Sequence, residues 1–141
     1  MRNGCLHLLF RVGNLRTKSH LVESHITVQM VTSETKGDFV NFNQRALKIS
    51  TSPDHEEEHD HCSMSVPNIV SHRIDEDSPF YSLSPEQLLN AGFELVVYLE
   101  GIVESTGNTV QARTSFLPRE ILWGYTFDNM VSIGSQLTSV I

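Results

Sequence analysis

At 141 residues with 39% hydrophobic side chains, the chain is sufficient for one domain, residues 1–141, with a real core. No apolar run approaches the ~20 residues that cross a bilayer, and CLHLLF at residues 5–10 is too short even for the apolar centre of a signal peptide. The two cysteines, Cys5 and Cys62, make no disulfide framework, so a reducing compartment, the cytosol, is expected.

The net charge of -7 is unevenly spread: residues 1–53 carry seven basic and three acidic groups, whereas residues 54–141 carry three basic and fourteen acidic ones. Arg2, Arg11, Arg16 and Lys18 precede any acid, which suits an anionic surface such as a membrane headgroup but equally a solvated basic end. HITVQMV at residues 25–31 alternates, with Ile26, Val28 and Met30 on one face, and predicts a half-buried strand.

The biased stretch at residues 51–63 contains DHEEEHDHC, residues 54–62, with three histidines, five carboxylates and a thiol. His55, His59, His61 and Cys62 are the candidate ligands for a zinc-class ion. Their like-charged neighbours favour a spread, solvated chain, so the expectation is a flexible loop that attracts cations diffusely, with no specific metal site.

Ser84-Pro85-Glu86-Gln87 has the signature of a helix start: an N-cap serine, a proline at the first position and a glutamine completing the capping box. The helix should run to about Ala91, before Gly92. FELVVYLEGIV at residues 93–103 is nearly continuous apolar sequence, which predicts a central strand covered on both sides. Gly101 and Gly107 bracket a loop or bulge. NTVQARTSF at residues 108–116 alternates, placing Val110, Ala112, Thr114 and Phe116 inward and Gln111 and Arg113 outward. LPREILWGYTF at residues 117–127 predicts a further strand after a turn. Short strands with one brief helix indicate an all-β sandwich.

Several of these segments together resemble the cytoplasmic domain of the inward-rectifier potassium channels. RVGNLR at 11–16, KSHLVESH at 18–25, HRIDEDSPFYSLS at 72–84 and FELVVYLEGIVESTGNTVQARTSFLPREILWG at 93–124 carry the resemblance and cover more than half the chain in the family's order. It implies an immunoglobulin-like β-sandwich below the membrane, assembled as a homo- or hetero-tetramer with channel subunits around an extension of the pore. It also implies a conduction and gating role without catalysis, and no nucleic-acid partner. The absence of a G-x-S-x-G elbow, a phosphate loop and an H-E-x-x-H helix agrees with that.

The resemblance assigns Arg16 and Lys18 to anionic phosphoinositide headgroups at the inner leaflet, and Glu23 and Glu100 to an acidic pore lining. A ring of such carboxylates would concentrate potassium, the permeant ion, and hold magnesium or polyamines as blockers, with no cofactor required. Gly101, Ile102, Val103 and Gly107 coincide with the cytoplasmic gate loop, and Arg113 with an arginine that braces loops or subunits.

Two features depart from the family pattern. Thr17 is an apparent one-residue insertion between Arg16 and Lys18, which inside a strand would invert the side-chain alternation unless a bulge absorbed it. Residues 128–141 diverge, so the sandwich is expected to be incomplete at its C-terminal end and the chain to be a fragment or truncated product that does not conduct alone. An alternative is a non-conducting immunoglobulin-like interaction module that binds full-length channel subunits and modulates them.

Overall fold

A computed structural model describes residues 4–16, 18–51 and 60–128. In chain order the strands are β1 (Leu6–Val12), β2 (Leu21–Lys36), β3 (Phe39–Ala46), β4 (His61–Cys62) and β5 (Asn68–Ile74), then the helix α1 (Pro85–Leu89), then β6 (Phe93–Val103) and β7 (Thr109–Phe116). A 3-10 turn, Pro118–Glu120, follows. All strand pairings are antiparallel, in a two-stranded sheet β1-β5 and a five-stranded sheet ordered β3-β2-β6-β7. The short β4 pairs with β2 as well, at Ser24 and His25. The expected all-β architecture with one short helix is what forms.

The two sheets close on one core. From the large sheet come Ile26 and Val28 of β2 and Phe93, Leu95 and Val97 of β6; Val70 of β5 and the partly buried Leu8, Phe10 and Val12 of β1 meet them. Leu47, Ile49, Met64, Phe80 and Leu88 fill in from the connecting segments and α1. The alternation expected for residues 25–31 holds, and β2 extends beyond it in both directions. Its far half forms a hairpin with β3 through Gly37-Asp38, where Gly37 has φ +64°. A positive φ at the first loop residue matches the twist of a two-residue hairpin.

The capping box of α1 forms as expected: Ser84 Oγ accepts from the Gln87 amide (3.2 Å) and Gln87 Oε1 from the Ser84 amide (2.8 Å). The helix stops at Leu89 rather than Ala91, with Asn90 as its C-cap and Asn90 Nδ2 donating to the Glu86 carbonyl.

Three further expectations require correction. Residues 117–127 form no strand: Pro118 has no N–H for a ladder, and Glu120 Oε2 takes the Leu117 amide at 2.7 Å, which closes a 3-10 turn. β6 is central between β2 and β7, but only Phe93, Leu95, Val97, Gly101 and Val103 are buried; its other face is half-buried and at Glu100 exposed. On β7, Ala112 and Thr114 share the core-facing side of the sheet yet lie in solvent, because β7 is an edge strand; Phe116 is half-buried, its ring centroid 6.4 Å from that of Phe10.

Candidate functional site

The residues with an implied role gather at one end of the large sheet, around a β-bulge. β2 and β6 pair with one register from His25↔Glu100 to Thr32↔Phe93 and with another at Val22↔Ile102 and Leu21↔Val103. Between these, Glu23 and Ser24 together oppose the single residue Gly101. Glu23 adopts φ +51°, left-handed for a residue with a side chain, which costs about 1–2 kcal/mol and leaves its carboxylate exposed. Ser24 turns inward and is 2% exposed. A Cβ on Gly101 would lie 2.9 Å from Ser24 Oγ, so a glycine is what lets the bulge approach β6.

Glu100, one residue before Gly101, is also exposed and accepts a 2.6 Å hydrogen bond from Nε2 of Gln111, its register partner on β7. Gly101, Ile102 and Val103 are the last residues of β6, and the turn beyond them is compact. The Val103 carbonyl accepts from the Thr106 amide (3.2 Å) and the Gly107 amide (2.8 Å), and Gly107, at φ +70°, returns the chain to β7. The residues that the resemblance assigns to a gate loop therefore lead into and form a β-hairpin tip.

Arg16 and Lys18 are exposed in the connection between β1 and β2, while Thr17 lies outside the described residues. That position removes the concern about alternation, since β1 has ended at Val12 and β2 begins at Leu21. Asn14 organises this connection: its Oδ1 accepts the Arg16 amide at 3.0 Å, and its Nδ2 donates to the Ser19 carbonyl at 2.8 Å. The His20 carbonyl then accepts the Glu104 amide at 3.0 Å, tying the basic connection to the hairpin tip. Arg113 is exposed on β7 opposite Tyr98 and forms no ion pair among the described residues.

Of the metal-ligand set read from the sequence, only His61 and Cys62 are among the described residues. His55 and His59 fall outside the described residues. His61 and Cys62 are adjacent on β4 and alternate: His61 is exposed, whereas Cys62 packs against the core with its thiol 3.8 Å from the Ser24 carbonyl. Burial, and secondarily the charge of Asp60, push the Cys62 thiol up to about 11, so it is protonated at neutral pH.

The family model described as "Inward rectifier potassium channel C-terminal domain" matches residues 1–139. The chain belongs to the inward-rectifier potassium channel family. It is 43% identical over 133 residues to "Inward rectifier potassium channel 4" of Homo sapiens, Mus musculus and Mesocricetus auratus, a match covering 93% of this chain. It spans only 29% of the length of each of these relatives. By their names the relatives are ion channels and not enzymes. Among the described residues no helix is long and apolar enough to cross a membrane.

Within this inward-rectifier domain, two residues that shape the site, Asn14 and Ser24, and one buried histidine of the core, His72, were not singled out in the sequence. Asn14 is an ordinary loop asparagine until its two hydrogen bonds are seen. Ser24 differs from other strand serines only through the bulge that buries it; its Oγ has no partner among the described residues. His72 lies in HRIDEDSP on the core face of β5, 5% exposed, with Nδ1 2.7 Å from the Lys48 carbonyl and Nε2 2.8 Å from Ser78 Oγ. That geometry fits the neutral ring, Nδ1–H donating and Nε2 accepting, and burial pushes its pKa below the ordinary histidine value. A short polar residue beside an odd apolar spacing is the signal that would have found Ser24.

Proposed function

We propose that this domain is the cytoplasmic pore and gating module of an inwardly rectifying potassium channel, working as a homo- or hetero-tetramer of channel subunits. The observation that carries this reading is the gathering of Glu23 and Glu100 at the root of the hairpin bearing Gly101, Ile102, Val103 and Gly107, with the Arg16–Lys18 connection hydrogen-bonded to that hairpin through Glu104 and His20. Repeated around a four-fold axis, the two glutamates make acidic rings that concentrate potassium and hold magnesium or polyamines as voltage-dependent blockers. Ile102 supplies an apolar constriction that gates by excluding water.

Arg16 and Lys18 meet a phosphoinositide headgroup, each basic group contributing about 1 kcal/mol near an anionic leaflet. The short path from Ser19 and His20 to Glu104 then carries headgroup binding to the gate. Arg113 braces the assembly through a partner outside its own chain. The exposed edge strand β3, with Phe39, Val40 and Phe42 in solvent, supports association with neighbouring subunits.

The test is electrical. Residues 1–139 are exchanged for the matching segment of a full-length human relative, and currents are recorded from inside-out patches with spermine on the cytoplasmic side. Voltage-dependent spermine block is expected, weakened at least tenfold by Glu23→Gln with Glu100→Gln. Arg16→Gln with Lys18→Gln should require more phosphoinositide for half-maximal current. If block is unchanged by the glutamate pair, the pore-lining assignment is wrong.

A further inference from the structure

Among the described residues, the fold brings the end of the histidine and acidic run, Asp60 and His61, against His25 of a neighbouring strand. His25 of β2 and His61 of β4 are register partners with ring centroids 3.8 Å apart, and Asp60 directly precedes β4. One ligand atom from each of His25, Asp60 and His61 lies within 4.8 Å of the others. We propose that these residues bind a divalent transition ion of the zinc class, with water completing the shell.

Distance, scaffold and ligand chemistry all support this assignment. In a tetrahedral zinc site with metal–ligand bonds of about 2.1 Å, neighbouring ligand atoms lie ~3.4 Å apart. The His25 Nδ1 to Asp60 Oδ2 distance is 3.6 Å, so that edge is nearly formed. The backbone holds the set: the Asp60 carbonyl accepts the Ile26 amide at 2.8 Å, anchoring Asp60 beside His25, and β4 is paired to β2 at Ser24 and His25. Two imidazoles and one carboxylate, all reachable from solvent, are the donor set of open zinc-class sites and leave a position for water. Cys62 takes no part because it lies on the opposite, core-facing side of β4. Glu100 pairs with His25 from the other side, and its carboxylate, held by Gln111, adds negative potential there.

Binding pins β4 to β2. On the function proposed above, it also sets two positive charges one strand away from Glu100, opposing cation attraction there. The test addresses the site alone, so its outcome is separate from that of the patch recordings.

The whole 141-residue chain is titrated calorimetrically with zinc chloride. Tight binding of one ion is expected, weakened at least tenfold by each of His25→Ala, Asp60→Asn and His61→Ala, and unchanged by His55→Ala with His59→Ala. Variants that bind zinc like the wild type, or a loss confined to the His55 and His59 pair, overturn the proposal. Circular dichroism of the zinc-free variants checks folding, and cobalt bound to the wild type gives a second readout independent of any variant. Visible ligand-field bands of four-coordinate cobalt without a thiolate charge-transfer band support the site; a thiolate band overturns it.

Discussion

The contact between Ser24 and Gly101 makes the sharpest quantitative test of the bulge. In Gly101→Ala, the added Cβ falls 2.9 Å from Ser24 Oγ, 3.5 Å from the Val22 carbonyl and 3.6 Å from Ser24 Cα. Only the first is shorter than van der Waals contact. Ser24 is 2% exposed, so its Oγ cannot swing out to solvent, and overpacking of this kind costs about 1–3 kcal/mol. Removing a strand glycine recovers about 0.5–1 kcal/mol of chain entropy, which leaves a net loss of about 0.5–2 kcal/mol. Ser24→Ala alone should be close to neutral or stabilising, because the buried Oγ has no hydrogen-bond partner among the described residues. In that background the clash is gone, and Gly101→Ala should reverse sign and stabilise by about 0.5 kcal/mol or more. Urea unfolding of the four proteins of this double-mutant cycle measures the effect, with midpoint shifts at unchanged slope. Equal destabilisation by Gly101→Ala in both backgrounds would refute the reasoning, since the glycine would then serve something other than the approach of Ser24.

Glu23 pays for its left-handed backbone, so Glu23→Gly should leave stability unchanged or raise it by up to about 1 kcal/mol, whereas the β-branched Glu23→Val should lower it by about 1 kcal/mol or more in the same urea assay. Stability should also depend on pH through His72: the neutral ring is favoured by folding, so its contribution is whole above the ordinary value of 6.5 and is lost as pH falls below 6.5 through the lowered folded-state value. A nuclear magnetic resonance titration that finds the His72 midpoint at or above 6.5 in the folded protein contradicts this.

What could be read from the sequence depended on how local the controlling interaction is. The start of α1 was legible because the capping box spans four adjacent residues, Ser84 to Gln87, and β6 because its apolar run is continuous. β3 was not, since FVNFNQRA is exposed along its whole length and its alternation is tied to no burial; the Gly37-Asp38 turn was its one local signal. β1, with LHLLF, reads as an apolar run of either helical or extended kind. Residues 117–127 have a strand-like composition, yet Pro118 and the Glu120 carboxylate close a turn first. In the site, Glu23, Glu100 and the hairpin residues were named through family resemblance, but their convergence depends on pairing of β2 with β6 across more than seventy residues of chain. The partnership of His25 with Asp60 and His61 is likewise a product of cross-strand register, invisible to any spacing rule along the run itself.

The irregularity that matters in β2 is at Glu23. Leu21 and Ile26 both pack toward the core, yet they are five positions apart, and a regular strand sends residues at odd spacing to opposite faces. Without an extra residue, the apolar side chain of either Leu21 or Ile26 would be turned to solvent. The bulge resolves this by adding one residue on β2 against Gly101. The residue added is Glu23, which stands outside the regular alternation and is left exposed. The same shift turns Ser24 inward and His25 outward, into the row that runs from His61 through His25 and Glu100 to Gln111. One backbone device thus keeps the core closed while leaving Glu23 exposed and setting His25 in the outer-face row with His61 and Glu100.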